Sequence, residues 1–169
     1  MAAARELLVG SSTGPPTVGD VASKAAVSRL SVYHHFGSHA GLFKALAAES
    51  RRRPQSSTGA VSGSEQLRAQ IREACEHWAR DPALFRRLPG AAEFDPPDQD
   101  RDLAQRLAAQ DRLRPGCSLK EAEDVIGLLT SFAAFDRLHQ DGRRSVGTVV
   151  EILDRMAGAI VPPRSESQA

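Results

Sequence analysis

Three histidines stand close together in the first quarter of the chain, at His34, His35 and His39. Imidazole nitrogens bind transition metals, and two histidines four residues apart can share one face of a helix. Gly37 is expected to end the helix between His35 and His39, however, and no Cys, Asp or Glu lies nearby to complete a ligand set. The pattern therefore argues against a metal site, and no other feature calls for a cofactor.

The residues just before the histidines combine hydrogen-bonding groups with an apolar side chain, in the order Ser28, Arg29, Leu30, Ser31. At the start of a helix in the DNA major groove, an arginine can bind guanine O6 and N7 in a bidentate manner. A leucine can touch a thymine methyl group there, and serines can reach bases or phosphates. This chemistry is that of DNA recognition.

An enzyme is the chief rival class, and the sequence offers it little support. There is no Ser/His/Asp ordering, no glycine-rich phosphate loop and no paired-carboxylate motif. Asp98, Asp100 and Asp102 fall in a predicted proline-flanked loop, which lacks the Gly and the distal Glu of a calcium site. We therefore expect a protein without enzymatic activity.

Two short helices joined by a tight turn would position the recognition residues. Thr17 can cap a helix that runs to about Ala25, because its hydroxyl can accept from a free backbone N–H. Ser28 can cap the next helix, which should end near Phe36, where Gly37 supplies a C-terminal stop. Helices joined in this way cross, and the first residues of the second helix can then enter the major groove.

The whole chain is predicted to be all-α. Ala, Arg and Leu are abundant among the 169 residues, whereas Trp and Tyr occur once each. Apolar spacing and caps predict about nine helices. They cover residues 2–9, 17–25, 28–36, 40–53, 65–80, 82–88, 103–113, 118–138 and 146–161.

Breaks in this pattern predict the domain organisation. Residues 1–53 should form a DNA-binding head with a shortened first helix, 54–64 a flexible connector, 65–161 a helical body, and 162–169 a disordered tail. Residues 1–53 carry seven Lys/Arg and three Asp/Glu, a net +4, so the remainder carries −3 of the total +1. A basic head on an acidic body fits DNA binding.

Location and redox chemistry follow from what the sequence lacks. No apolar run is long enough for a membrane helix and the N-terminus does not resemble a signal peptide, so we expect a cytoplasmic protein. Cys75 and Cys117 fall in predicted helical surroundings without C-x-x-C spacing. Both are interpreted as small buried apolar residues.

The segment from Thr17 to Phe43 resembles the helix-turn-helix of the tetracycline-repressor family. The features that carry the resemblance are Thr17, Val21-Ala22, Ala25-Ala26-Val27-Ser28, Ser31-Val32-Tyr33, Phe36, Ser38 and Leu42-Phe43. It extends loosely to the first helix, and behind Arg53 it rests on helix lengths alone.

The resemblance implies DNA-binding roles for further residues. Side chains that would contact phosphates are those of Thr17, Tyr33, His34, His35 and His39. Three positions depart from the family pattern, at Gly19, Ala26 and His39. The family often has a DNA-facing side chain at 19, Gly at 26 and Lys at 39, so Ala26 would cost roughly 1 kcal/mol if its φ is positive.

For the body, the resemblance implies a ligand-responsive repressor. Aromatic residues there are core by default, and by resemblance some line a cavity for an unknown small-molecule inducer; the candidates are Trp78, Phe85, Phe132 and Phe135. The last two helices would form a four-helix bundle with those of a second copy, and such a homodimer would bind a palindromic operator on double-stranded DNA. The alternative is a helical ligand-binding or protein-interaction module whose DNA binding is impaired.

Overall fold

The computed structural model describes residues 1–10, 15–51, 62–88 and 97–162. Within these ranges the chain forms ten α-helices and a π-helical turn, and no strand. The α-helices are α1 (Ala2–Gly10), α2 (Val18–Lys24), α3 (Arg29–Phe36), α4 (His39–Arg51), α5 (Gly63–Ala79), α6 (Pro82–Arg87), α7 (Pro97–Ala109), α8 (Leu119–Leu129), α9 (Phe132–Asp136) and α10 (Val146–Ala157), and the π-helical turn is Arg137–Asp141. The predicted all-α fold class is confirmed, with one helix more than expected.

The described residues group into two compact units. The first comprises those of Met1–Arg52 and Asp81–Glu93, and holds α1 to α4 together with α6. The second comprises those of Arg53–Arg80 and Phe94–Ala169, and holds α5 and α7 to α10. The domain limits predicted from the sequence stay predictions, and most of the predicted connector and tail lies outside the described residues.

In the first unit, α6 is bound to the end of α1 through Arg87. Its Nη1 donates to the carbonyl oxygens of Leu8 and Val9, at 3.1 and 2.8 Å. The last carbonyls of a helix have no partner within the helix, and a positive charge is favourable beside them. A second link joins Arg5 Nη1 to Asp81 Oδ2 at 3.7 Å. The apolar core of this unit consists of Ala4, Leu8, Val18, Val21, Ala22, Val32, Leu42, Leu46, Ala47, Leu84, Phe85 and Leu88.

In the second unit, α5 supplies the longest buried face. Its N-terminus has a capping box, in which Ser62 Oγ accepts from Glu65 N and the Glu65 carboxylate accepts from Ser62 N. The apolar core gathers residues from all five helices and the segment after α10, namely Leu67, Ile71, Ala74, Cys75, Trp78, Leu103, Ala104, Leu107, Ala122, Ile126, Leu129, Phe132, Phe135, Val149, Leu153, Ala157, Ile160 and Val161.

The prediction of a helix over 103–113 was wrong at both ends. Helix α7 begins at Pro97, a residue that the first turn accepts because its N–H is not needed there. The predicted loop that includes Asp100 and Asp102 is therefore helical. At the other end Asp111 has φ +51, and Arg112 N donates to Leu107 O at 2.9 Å. A left-handed residue with this hydrogen bond ends the helix before Pro115 is reached.

The single helix predicted over 118–138 is divided in two. Ser131 starts α9 as a new cap, accepting from Ala134 N at 3.1 Å. Just before it, Thr130 Oγ1 donates to the Ile126 carbonyl at 3.0 Å, and Trp78 Nε1 donates to the Thr130 carbonyl at 2.9 Å. Since Thr and Ser compete for backbone groups, two of them in sequence favour a break. Apolar spacing alone does not reveal it.

Two smaller predictions also need correction. Helix α10 ends at Ala157 rather than 161, and Arg114 from the loop before α8 donates through N and Nε to the carbonyls of Ile160 and Gly158. Cys117 lies in that same loop and is only partly buried, whereas Cys75 is buried as predicted. Partial burial and the nearby Glu121 raise the pKa of the Cys117 thiol. Among the described residues, no helix is both long and apolar enough to cross a membrane.

Candidate nucleic-acid interface

The turn between α2 and α3 spans four residues, from Ala25 to Ser28. Val27 N donates to Ala22 O at 3.0 Å, a bond that closes the end of α2 around Ala26. Ala26 has φ +53, in the left-handed region that favours glycine. The positive φ considered from the sequence is thus present, and this alanine holds a strained turn.

Helix α3 buries one residue, partly buries Ser31 and Phe36, and exposes the other five. Val32 is its buried side chain. Leu30 is 77% exposed and Tyr33 48% exposed, and Arg29, His34 and His35 are exposed as well. Among the described residues, Leu30 is the most exposed of the large apolar side chains.

The two predicted serines form the start of α3. Ser28 Oγ accepts from Ser31 N at 3.0 Å, and the two hydroxyl oxygens lie 2.9 Å apart. Ser28 therefore caps the helix as predicted. Because Ser31 has its hydroxyl bonded to that cap, both side chains are held in fixed positions beside Arg29.

Thr17 is the cap of α2 and is tied to Asp20. Its N–H and hydroxyl both donate to Asp20 Oδ2, at 2.8 and 2.7 Å, and its Oγ1 accepts from Asp20 N at 3.2 Å. These hydrogen bonds from Thr17, with a smaller contribution from the Arg29 charge, hold the pKa of the Asp20 carboxyl below its ordinary value. Thr17 thus orders the first turn of α2, which was foreseen, and it does so by donating its only hydroxyl proton to Asp20.

His39 makes a contact that the sequence did not predict. Its Nε2 lies 2.9 Å from the Pro16 carbonyl oxygen, so this nitrogen carries the proton and donates. The ring also meets Phe43 edge to face, with centroids 4.8 Å apart. The Nε2 proton of His39 is therefore already engaged and is not available to a phosphate.

Two glycines in this unit make close approaches that sequence reasoning missed. A Cβ on Gly41 would overlap the Phe36 carbonyl oxygen, so the start of α4 needs glycine to pass the end of α3. A Cβ on Gly19 would lie 2.8 Å from Arg29 Nη2. The departure from the family pattern at Gly19 could have indicated its close approach to Arg29. Nothing in the sequence indicates the close approach of Gly41 to Phe36.

The three histidines do not gather into a metal site in the described part of the chain, where no group of three His, Cys, Asp or Glu side chains is placed to hold an ion. The rings of His34 and His35 meet edge to face with centroids 5.9 Å apart. Both stay on the exposed side of α3.

The predicted ligand residues divide between the two units. Trp78, Phe132 and Phe135 form one buried group in the second unit, with ring centroids 5.6 Å apart for the first pair and 6.4 Å for the second. Phe85 is buried in α6 of the first unit. Within the second unit, Trp78, Phe132 and Phe135 therefore lie together.

These features define a class of protein. An exposed recognition helix on a short turn, within an all-α chain, is the arrangement of helix-turn-helix transcription regulators. Residues 1–46 match the family of bacterial regulatory proteins described as the tetR family. The match places the similarity to this family in the DNA-binding head, which contains α1 to α3 and the first part of α4.

Solved structures with the same fold extend the likeness over nearly the whole chain. One is a Clostridium perfringens protein described as a regulator of fatty acid metabolism, 17% identical, with a TM-score of 0.67 over 96% of this chain and 98% of that one. Another is NalD, the secondary repressor of the MexAB-OprM multidrug efflux pump in Pseudomonas aeruginosa, 20% identical, with a TM-score of 0.69 over 95% of this chain and 94% of that one. None of the curated proteins compared with the sequence matches it significantly.

Proposed function

We propose that the chain is a ligand-responsive transcriptional repressor that acts as a cytoplasmic homodimer on a palindromic operator. The first unit binds DNA, the second binds an inducer and the partner copy, and repression follows from obstruction of the promoter. The family of the head supports DNA binding, and the repressor role of NalD, a protein of the same fold, supports the direction of regulation.

The observation that carries the proposal is the exposed first turn of α3. Arg29 offers five donors for guanine O6 and N7, Leu30 offers an apolar surface for a thymine methyl group, and Ser28 and Ser31 flank them. Tyr33, His34 and His35 lie further along the same helix, where their hydroxyl and imidazole groups can bind phosphates. Thr17 and His39 lie at the starts of α2 and α4. Base contacts at one end and phosphate contacts at the other fit a helix that enters the groove end-on.

A homodimer is supported by apolar side chains exposed on the last helices. Leu128 on α8 is 57% exposed and Met156 on α10 is 49% exposed, and these two helices pack together. In a twofold interface that covers them, the Leu128 and Met156 side chains of both copies would be buried. Two copies would then present two α3 helices, which requires a palindromic site.

An inducer is proposed to bind among the aromatic residues of the second unit. Trp78, Phe132 and Phe135 provide flat apolar faces, and the break between α8 and α9 lies against Trp78 through its bond to Thr130. A ligand that prefers one arrangement of these helices would shift the population of the two states and lower operator affinity.

The second candidate function is a helical ligand-binding module with weak DNA binding, and His39 favours it. The Nε2 proton of His39 is donated to Pro16 instead of to a phosphate, so this arrangement lacks one of the predicted backbone contacts. Such a protein would respond to its ligand through the second unit alone.

Hydroxyl-radical footprinting on the DNA upstream of its own gene separates the two candidates. The repressor is expected to protect two symmetric half-sites spaced by a whole number of helical turns. Sedimentation of the free protein is expected to give twice the mass of one chain. A monomer without a footprint would contradict the repressor and leave the ligand-binding module.

A further inference from the structure

The side chain of Arg29 extends from α3 back across the start of α2. A Cβ added to Gly19 would lie 2.8 Å from Nη2, 3.0 Å from Nε and 3.1 Å from Cζ of Arg29. Three atoms of the guanidinium group therefore occupy the space that a side chain at residue 19 would need. Any other residue at this position would displace Arg29.

A fixed negative charge lies beside the same spot. Asp20 follows Gly19, and two hydrogen bonds from Thr17, of 2.8 and 2.7 Å, hold its Oδ2. Arg29 contributes to the lowered pKa of this carboxyl, which shows that the guanidinium lies within electrostatic reach of it. The space left by Gly19 and the negative charge of Asp20 thus favour one position of the Arg29 side chain, which is otherwise flexible.

We propose that Gly19 is a positioning residue for Arg29, which it allows to lie along α2 in the orientation that reads a base pair of the operator. The proposal rests on the DNA-binding function proposed above. An arginine in solution samples many rotamers, and the loss of this freedom opposes binding. A guanidinium already positioned by α2 loses less conformational freedom on binding. The absence of a side chain at residue 19 therefore adds to sequence-specific affinity.

Gly19→Ala is a test that leaves the fold intact. The atoms that a new Cβ would meet belong to the far end of a flexible side chain, so Arg29 moves and the backbone does not. Alanine is also the better helix former inside α2. A change in DNA binding in this variant therefore does not come from loss of the head.

The experiment is a double-mutant cycle with Gly19→Ala and Arg29→Ala, in which fluorescence anisotropy measures DNA binding. Three kinds of DNA are compared: the upstream DNA, the same DNA with each base pair of the footprint changed in turn, and scrambled DNA. Gly19→Ala is expected to weaken upstream-DNA binding about three- to ten-fold and to flatten the preference at the base pair read by Arg29. In the Arg29→Ala background it should have no further effect. Gly10→Ala, whose Cβ meets nothing within 4 Å, is the matched control and should bind as the wild type does.

Three results would overturn the proposal. Equal losses with and without Arg29 would show that Gly19 acts independently of it. Unchanged binding by Gly19→Ala would show that the packing has no effect. Tighter binding would show that α2 withholds Arg29 from DNA. The failure of the proposed function has a separate signature, since the wild type would then bind upstream and scrambled DNA equally.

Discussion

At the residue scale, the head combines a strained turn with exposed recognition side chains. Ala26 stands in the left-handed region, and the first turn of α3 keeps Arg29 and Leu30 in water. The sequence predicted the identity of these side chains, because caps and glycines mark the helix ends. It did not predict that His39 donates to Pro16 or that Arg29 packs on Gly19, since both contacts depend on how helices cross.

Ala26→Gly is expected to stabilise the protein by about 1 kcal/mol, because glycine adopts φ +53 without the steric cost that alanine pays. Urea denaturation of both proteins measures the difference. The control is Ala25→Gly at the neighbouring position, where φ is −84. Glycine gains nothing there, and a stability increase in the control as large as at Ala26 would contradict the explanation.

At the element scale, caps and close helix contacts fix where each helix begins and ends. Thr17 and Ser28 could be assigned as caps from the sequence because their effect is local. The contact of Arg87 with the end of α1 could not, since it joins residues 79 positions apart. The break at Thr130 was missed for the same reason, since Trp78, which donates to the Thr130 carbonyl, lies 52 positions away in the chain.

Gly41→Ala should destabilise the first unit by about 2 kcal/mol or more, because the new Cβ would overlap a backbone carbonyl that cannot move away freely. Thermal unfolding with circular dichroism measures the loss. Gly147→Ala in α10 is the matched control. Its Cβ comes no closer than 4.0 Å to another residue, so the better helix propensity of alanine should leave stability unchanged or raised. A loss at Gly147 equal to that at Gly41 would rule out the contact as the cause.

The cap of α2 makes a pH-dependent contribution to stability through Asp20. Its pKa in the folded state is lower than the ordinary value of 3.8, so its contribution is complete above that value and is lost as the pH falls through the folded pKa. Asp20→Asn should therefore reduce stability at neutral pH and flatten its decline in acid. A pH series of denaturation curves with the same acid decline in both proteins would contradict this account.

At the scale of the whole molecule, the all-α architecture and the helix-turn-helix were predictable because both leave repeated local signals. The role of α8 and α10 in dimerisation remains a proposal, and their exposed apolar residues make it testable. Leu119 and Leu128 both lie on α8 and are about equally exposed, at 50% and 57%. They are nine residues apart, which places them on opposite sides of the helix.

Leu128→Glu is expected to shift the protein from dimer to monomer and to lower operator affinity at least about ten-fold, because a charge buried in an apolar interface is unpaired. Leu119→Glu is the control and should remain dimeric. Sedimentation velocity distinguishes the two species. A dimer in both variants would place the interface elsewhere, and a monomer in both would show that the effect is not specific to one face.

The central claim is that α3 reads DNA sequence, and the most direct test is fluorescence anisotropy on upstream and scrambled DNA across a salt series. The wild type should bind upstream DNA at least ~10³-fold more tightly. Arg29→Ala should reduce this ratio, whereas Tyr33→Ala should weaken binding to both DNAs alike. Equally weak binding to both DNAs, unaffected by either substitution, would contradict the claim.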